Sequence, residues 1–127
     1  MSDFNTLLAV KDLMAKDILT APDSASIVEI AKALTGNSAG SVVITGAGGD
    51  VVGIITESDI VSKVVAQTKD PAQTKAGEIM SSNLIKIAGD CSIFEARKAM
   101  TDGDVKHLIV EEDGKQIGVI SSTSLGG

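Results

Sequence analysis

The sequence predicts an α+β protein built from two β-α-β-β repeats, the first extended by a closing helix. The halves are expected to be related by a pseudo-twofold axis, with their sheets packed on a shared core. Three observations carry that reading. The chain matches itself at a spacing of 66 residues, each copy holds a capping-box helix followed by two apolar strands, and neither copy alone has enough surface to bury.

The repeat is dense. "KDLMAKDILTA" (11–21) falls on "GEIMSSNLIKI" (77–87), so Met14 meets Met80, Ile18 meets Leu84 and Leu19 meets Ile85. "ASIVEIAKALTG" falls on "CSIFEARKAMTD", which pairs Ser26, Ile27, Glu29, Lys32, Ala33 and Thr35 with Ser92, Ile93, Glu95, Lys98, Ala99 and Thr101. "SVVIT" falls on "HLIVE", and Gly48 on Gly114. One residue is then deleted, and "VGIITESDI" falls on "IGVISSTSL" at a spacing of 65.

Each element has a local reason. A short strand is expected at 18–20 and again at 84–86. Ser26 and Ser92 then read as N-caps, each followed three residues later by Glu29 or Glu95 in the capping-box spacing. The helices that follow place Ile27, Ile30, Ala31 and Leu34 on one face, and Ile93, Ala96 and Met100 on the other copy's face. Apolar strands follow at 41–45 and 51–55, joined by "GAGGD", and at 107–111 and 116–120, joined by "EDGK". Thr56 to Ala66 closes the first copy as a helix. The first repeat thus spans 10–66, a polar linker containing Pro71 spans 67–75, and the second repeat spans 76–125 without a closing helix of its own.

Composition narrows the function classes. The chain has 127 residues, 43% of them apolar, with two Phe and no Trp or Tyr, so its core must be aliphatic. The missing aromatics remove the platforms on which single-stranded bases stack. A net charge of −6 with Arg97 as the sole arginine argues against direct nucleic-acid binding. Cys91 is the only cysteine, which excludes an internal disulfide and a Cys-pair zinc site. No apolar run reaches membrane length and residues 1–10 lack a basic signal-peptide start, so a soluble, cytoplasmic protein is expected. No paired carboxylates, HExxH or GxSxG are present, which leaves an enzyme reading without support. "GAGGD" lacks the Lys-Ser/Thr of a phosphate loop and joins two strands, so it reads as a hairpin. Met14, Met80 and Met100 read as core filler before metal ligands, and no metal site is expected.

The pieces "DLMAKDILT", "SAGSVVIT" and "GIITESDI", answered by "EIMSSNLIK", "VKHLIVEEDG" and "GVISSTSL", resemble a tandem pair of CBS domains, the family named after cystathionine beta-synthase. The resemblance covers residues 10 to 125. It implies a regulatory sensor that binds an adenosine-containing ligand (AMP, ADP, ATP or S-adenosylmethionine) in clefts between the repeats, with no covalently bound cofactor. It also implies a homodimer and a regulated protein partner.

The family's ligand frame is Gly, apolar residues, Thr or Ser, two variable residues, then Asp. In this sequence Thr56 stands where a strand turns into a helix, so its hydroxyl and the N–H groups there can take a phosphate. Asp59, one turn in, offers two carboxylate oxygens to the two ribose hydroxyls. The plainer alternative is that Thr56 only caps the helix and Asp59 adds a favourable charge.

Carried over by resemblance, Thr56 and Asp59 face Ile85, Lys86, Val105 and His107 of the second copy. Val105 would give backbone groups to the base, and Lys86 and His107 would meet phosphate. The opposite cleft would combine Ser121 and Ser124 with Leu19, Thr20, Ala39 and Ser41. It has lost the ribose carboxylate and has no basic residue at the matching strand positions, so it reads as the weaker site. The proline common in this family's strand is replaced by Val43 and Ile109. The missing second closing helix leaves apolar positions such as Leu125 to be covered by residues 4–10 or by a second chain. The rival reading is a ligand-free dimerisation module for a partner protein.

Overall fold

The computed structural model describes residues 8–14, 18–37 and 40–122. Within them the chain runs α1 (Val10–Leu13), β1 (Thr20–Pro22), α2 (Ile27–Asn37), β2 (Ser41–Thr45), β3 (Val51–Thr56) and α3 (Glu57–Ile60), which continues as a π-helical turn (Val61–Val65). It goes on through α4 (Ala76–Ile79), β4 (Lys86–Ala88), α5 (Ile93–Gly103), β5 (His107–Glu112) and β6 (Lys115–Ser121). The fold is α+β, with two three-stranded sheets ordered β1-β2-β3 and β4-β5-β6.

The copies share one ladder. In each sheet the short first strand is parallel to the second, with Thr20 opposite Val43 and Lys86 opposite Ile109. The second strand is antiparallel to the third, with Ser41 opposite Thr56 and His107 opposite Ser121. Even the register break recurs, between Ile44 and Thr45 and between Val110 and Glu111. The first strands begin two residues later than expected, because Leu19 and Ile85 lend only their carbonyls, accepting from the N–H groups of Val43 at 2.8 Å and Ile109 at 3.0 Å.

The hairpins correct one alignment. Gly49 (φ 85°) and Gly114 (φ 77°) occupy the left-handed region that favours glycine, so Gly49 rather than Gly48 is the partner of Gly114. The deletion therefore falls before that glycine. In the second hairpin Asp113 (φ 55°) and Gly114 form a two-residue turn, which lets the ladder extend to Glu112 opposite Lys115.

Both capping boxes form. Ser26 N–H donates to Glu29 Oε1 at 3.0 Å and Glu29 N–H returns to Ser26 Oγ at 3.2 Å; the Ser92–Glu95 pair does the same at 3.0 Å each way. The long helices then bury the predicted face against their own sheet. Ile27, Ile30 and Leu34 pack with Val42, Ile44 and Ile55 in one core; Ala96 and Met100, with partly buried Ile93, pack with Leu108, Val110 and Ile120 in the other. Each fully buried Ile or Leu contributes about 1.5–3 kcal/mol of transfer free energy. Met14 and Met80 pack at the margins of these cores, as does Cys91, a free, half-buried thiol.

The compact units do not coincide with the repeats. One comprises Leu19–Leu84; the other combines Met1–Ile18 with Ile85–Gly127. The leading turn of each repeat packs in the unit of the other. Val10 N–H donates to the Cys91 carbonyl at 2.9 Å, and Ala76 N–H donates to the Ala25 carbonyl at 2.8 Å. Val10 and Ala76 are both fully buried there.

Residues 67–75 are polar as expected but tied down. Ile27 N–H donates to the Thr74 carbonyl at 2.9 Å and Val28 N–H to the Pro71 carbonyl at 3.2 Å. Thr74 is buried, with its hydroxyl on the Asp70 carbonyl at 2.8 Å. Backbone amides at the start of α2 need acceptors, and this segment supplies them.

Candidate functional site

The turn from β3 into α3 is built by Thr56 and Asp59. Thr56 is extended (φ −115°, ψ 169°) and serves as N-cap. Its N–H donates to Asp59 Oδ2 at 2.9 Å, its hydroxyl donates to the same oxygen at 3.2 Å, and Asp59 N–H returns to Thr56 Oγ1 at 3.3 Å. Ser58 Oγ lies 3.1 Å from Thr56 Oγ1. Asp59 Oδ1 pairs with Lys63 Nζ at 3.4 Å, and that ammonium also donates to the Ile79 carbonyl at 3.1 Å. Capping and charge pairing, the plainer roles, are therefore both present.

This changes the ribose expectation in one respect. Oδ2 already accepts from the Thr56 N–H and hydroxyl and Oδ1 is ion-paired with Lys63, so the carboxylate is not empty-handed before any ligand arrives. Lys63 escaped the sequence reading. Its signal was the i,i+4 spacing from Asp59 on a helix. The π-helical turn carrying it was not foreseen either; Ala66 N–H reaches back to the Val61 carbonyl at 2.8 Å. Single π turns of this kind occur frequently at functional sites.

The other expected residues lie as follows. Ile85 ends the segment before β4, gives its carbonyl to the Ile109 N–H and packs at the margin of its core with Val105. Val105 follows α5 and donates its N–H to the Met100 carbonyl at 3.0 Å. His107 opens β5 and is half-buried. Lys86 opens β4, and its ammonium lies 3.4 Å from Glu111 Oε2 beside a hollow of about 250 Å³. Of the weaker set, Leu19 leads into β1, Thr20 opens it, and Ser41 starts β2. Ser121 ends β6. Ala39, Ser124 and Leu125 lie outside the described residues.

The ladder therefore brings together pairs that the sequence reading had assigned to different clefts. Ser41 stands opposite Thr56, and Ser121 opposite His107. Among the described residues no group of three or more His, Cys, Asp and Glu side chains is placed to hold a metal, and no helix is long and apolar enough to cross a membrane.

Comparison with known proteins agrees with the fold. An uncharacterized protein of Methanopyrus kandleri is 37% identical over 90% of this chain and 59% of its own length, so the chain spans less than two thirds of that relative. The crystal structure of a CBS-domain containing protein, ATU1752 from Agrobacterium tumefaciens, superposes with TM-score 0.83 at 31% identity, covering 99% of this chain and 96% of that one. The CBS domain pair of protein MJ0100, in complex with 5′-methylthioadenosine and S-adenosyl-L-methionine, superposes with TM-score 0.80 at 30% identity over 94% of each chain. The family profile of the CBS domain matches residues 10–66 and 76–125. The chain belongs to the CBS-domain family of regulatory modules, as two CBS repeats in tandem.

Proposed function

We propose that the chain senses an adenosine-containing ligand, held by Thr56 and Asp59 together with Ile85, Lys86, Val105 and His107. The observation that carries this is the Thr56–Asp59 turn, where a hydroxyl and a part-buried carboxylate stand on one helical turn at the end of an apolar strand. Hydroxyl and carboxylate suit phosphate and ribose respectively. Membership of a family in which the MJ0100 pair binds two adenosyl compounds supports the class of ligand. Lys86 and His107 would meet the phosphates, and Lys86 would have to exchange Glu111 for them. The Ser121–Ser124 frame, with Leu19, Thr20, Ala39 and Ser41, is the weaker site. Binding alters an attached or associated protein, which is the regulatory output.

The test is calorimetric titration of the full chain with AMP, ADP, ATP, S-adenosylmethionine and NAD, backed by thermal shift. A ligand at a hundred times its dissociation constant should add about 2.7 kcal/mol of stability. No shift with any of the panel would return the chain to the rival reading, a ligand-free interaction module.

The assembly we propose is a homodimer. Val65, 64% exposed, lines an apolar groove of about 300 Å³ between α2 and the π turn, with Ile27, Val28, Ala31, Val64 and Pro71 among others, and Val61 on the same turn is 60% exposed. Covering such a face is favourable by roughly 25 cal/mol per Å².

A further inference from the structure

Thr56 Oγ1 meets three partners and carries one proton. It accepts the Asp59 N–H at 3.3 Å, and it lies 3.2 Å from Asp59 Oδ2 and 3.1 Å from Ser58 Oγ. The cap fixes the oxygen, so only the proton is left to move. A hydroxyl rotates to suit its acceptors, and the Thr56 and Ser58 hydroxyls can each donate to the other. Two arrangements follow. In the first, Thr56 donates to Asp59 Oδ2 and Ser58 donates to Thr56 Oγ1. In the second, Thr56 donates to Ser58 Oγ and the Ser58 proton turns outward. Ser58 is exposed, which leaves room for that turn.

The position of this proton decides what Asp59 Oδ2 can offer. The same oxygen accepts the Thr56 N–H at 2.9 Å, a backbone donor held by the β3–α3 turn. Each carboxylate oxygen has about two lone-pair positions, so the first arrangement fills Oδ2 and the second opens one of its positions. The change moves no heavy atom. The backbone bonds of the cap stay, and so does the ion pair between Oδ1 and Lys63 at 3.4 Å.

A ribose diol laid across the carboxylate, one hydroxyl on each oxygen, uses the position that opens on Oδ2. We propose that Ser58 is a positioning residue for ribose, whose Oγ takes the Thr56 hydroxyl as the diol arrives and so frees Oδ2 for the ligand. The proposal rests on the adenosyl-ligand reading. Ser58 acts through Thr56 and Asp59 and need not touch the ligand. Alanine at this position leaves the Thr56 proton on the carboxylate, in competition with the incoming hydroxyl.

The experiment measures the affinities of adenosine, 2′-deoxyadenosine and 3′-deoxyadenosine for the wild-type chain, Ser58→Ala and Ser58→Thr. Thr56→Val and its combination with Ser58→Ala complete a double-mutant cycle. Folding of every variant is checked by circular dichroism and thermal melting. Ser58→Ala should weaken adenosine binding by about two- to fivefold, the lower part of the range for a neutral hydrogen bond, because water reaches an exposed site. The deoxynucleoside that lacks the hydroxyl meeting Oδ2 should be unaffected. Ser58→Thr keeps the hydroxyl and should bind as wild type. In Thr56→Val no side-chain hydroxyl competes for Oδ2, so adding Ser58→Ala should change nothing.

Unchanged or tighter adenosine binding in Ser58→Ala, an equal loss for all three nucleosides, or the same loss in the Thr56→Val background would overturn the proposal while leaving the ribose site standing. Absence of adenosine binding to the wild type would also overturn it, since the diol would then have no hold of its own. Absence of AMP binding as well would overturn the adenosyl reading with it.

Discussion

Thr56 and Asp59 hold each other at both ends of one helical turn, the threonine N–H on the carboxylate at 2.9 Å and the aspartate N–H on the hydroxyl at 3.3 Å. Any substitution at Asp59 therefore acts on the fold as well as on a ligand. Two substitutions separate these effects. Asp59→Ala removes the cap partner and should cost about 1 kcal/mol in chemical denaturation, along with a ten- to hundredfold loss of adenosyl-ligand affinity. Asp59→Asn keeps a carbonyl for the Thr56 N–H, so it should retain most of the stability and still lose affinity. Unchanged affinity in both would reduce Asp59 to a capping residue.

The two repeats should differ in their response to the same deletion. Ser124→Ala should leave affinity within about twofold, because a hydroxyl is too weak an acceptor to stand in for a carboxylate. One ligand per chain is the expected stoichiometry in calorimetry. Two equal sites would mean that the "SSTS" frame works as well as "TESD".

Lys86 and His107 should scale with phosphate number. Alanine at either position is expected to weaken ATP more than AMP and AMP more than adenosine, with the gap shrinking as salt rises. Equal losses for all three ligands would place these side chains away from the phosphates. Lys86→Ala also frees Glu111, so Glu111→Gln is the control for the broken ion pair.

Gly53 is a packing position. A Cβ built there would lie 2.7 Å from Met80 Cγ and 2.9 Å from Met80 Cβ, and the neighbouring Ile54–Ser81 bridge (2.9 and 3.0 Å) limits how far the backbone can shift. Gly53→Ala should lower stability by about 1–3 kcal/mol, seen as a lower denaturation midpoint with unchanged slope. Gly40→Ala, where an added Cβ meets nothing within 4 Å, is the comparison.

Light scattering at tens of micromolar should report a dimer, and Val65→Asp should shift it toward monomer without loss of secondary structure. A wild-type monomer at that concentration would remove the assembly proposal and leave the ligand proposal untouched.

The repeat made most of this architecture legible in the sequence. Ser26–Glu29 and Ser92–Glu95 mark helix starts by chemistry alone, and the short apolar runs in "SVVIT" and "HLIVE" mark the central strands. What stayed hidden depends on contacts that linear spacing cannot encode. Val10 and Ala76 occupy equivalent positions in the two copies, so nothing local says which helix each will dock against. Lys63 could be placed near Asp59 by helical spacing, but its second partner, the Ile79 carbonyl, is 16 residues away. The short first strands began late because parallel pairing is set by the register of β2 and β5, not by the apolar run that precedes them.

The exchange of leading turns has a bearing on how such a chain can be divided. A fragment cut at the repeat boundary would carry Val10 with nothing to dock on and leave Ala25 without the turn that Ala76 provides. Only a second copy of the fragment could fill both vacancies, by reciprocal trade between molecules. Covalent fusion of the repeats turns that trade into an intramolecular event, governed by effective concentration rather than by how much protein is present. The compact unit is the contiguous stretch 19–84, whereas the duplicated stretch is 10–66. Duplication and compactness follow different boundaries in this molecule, and a scissor placed by homology would fall inside a compact unit.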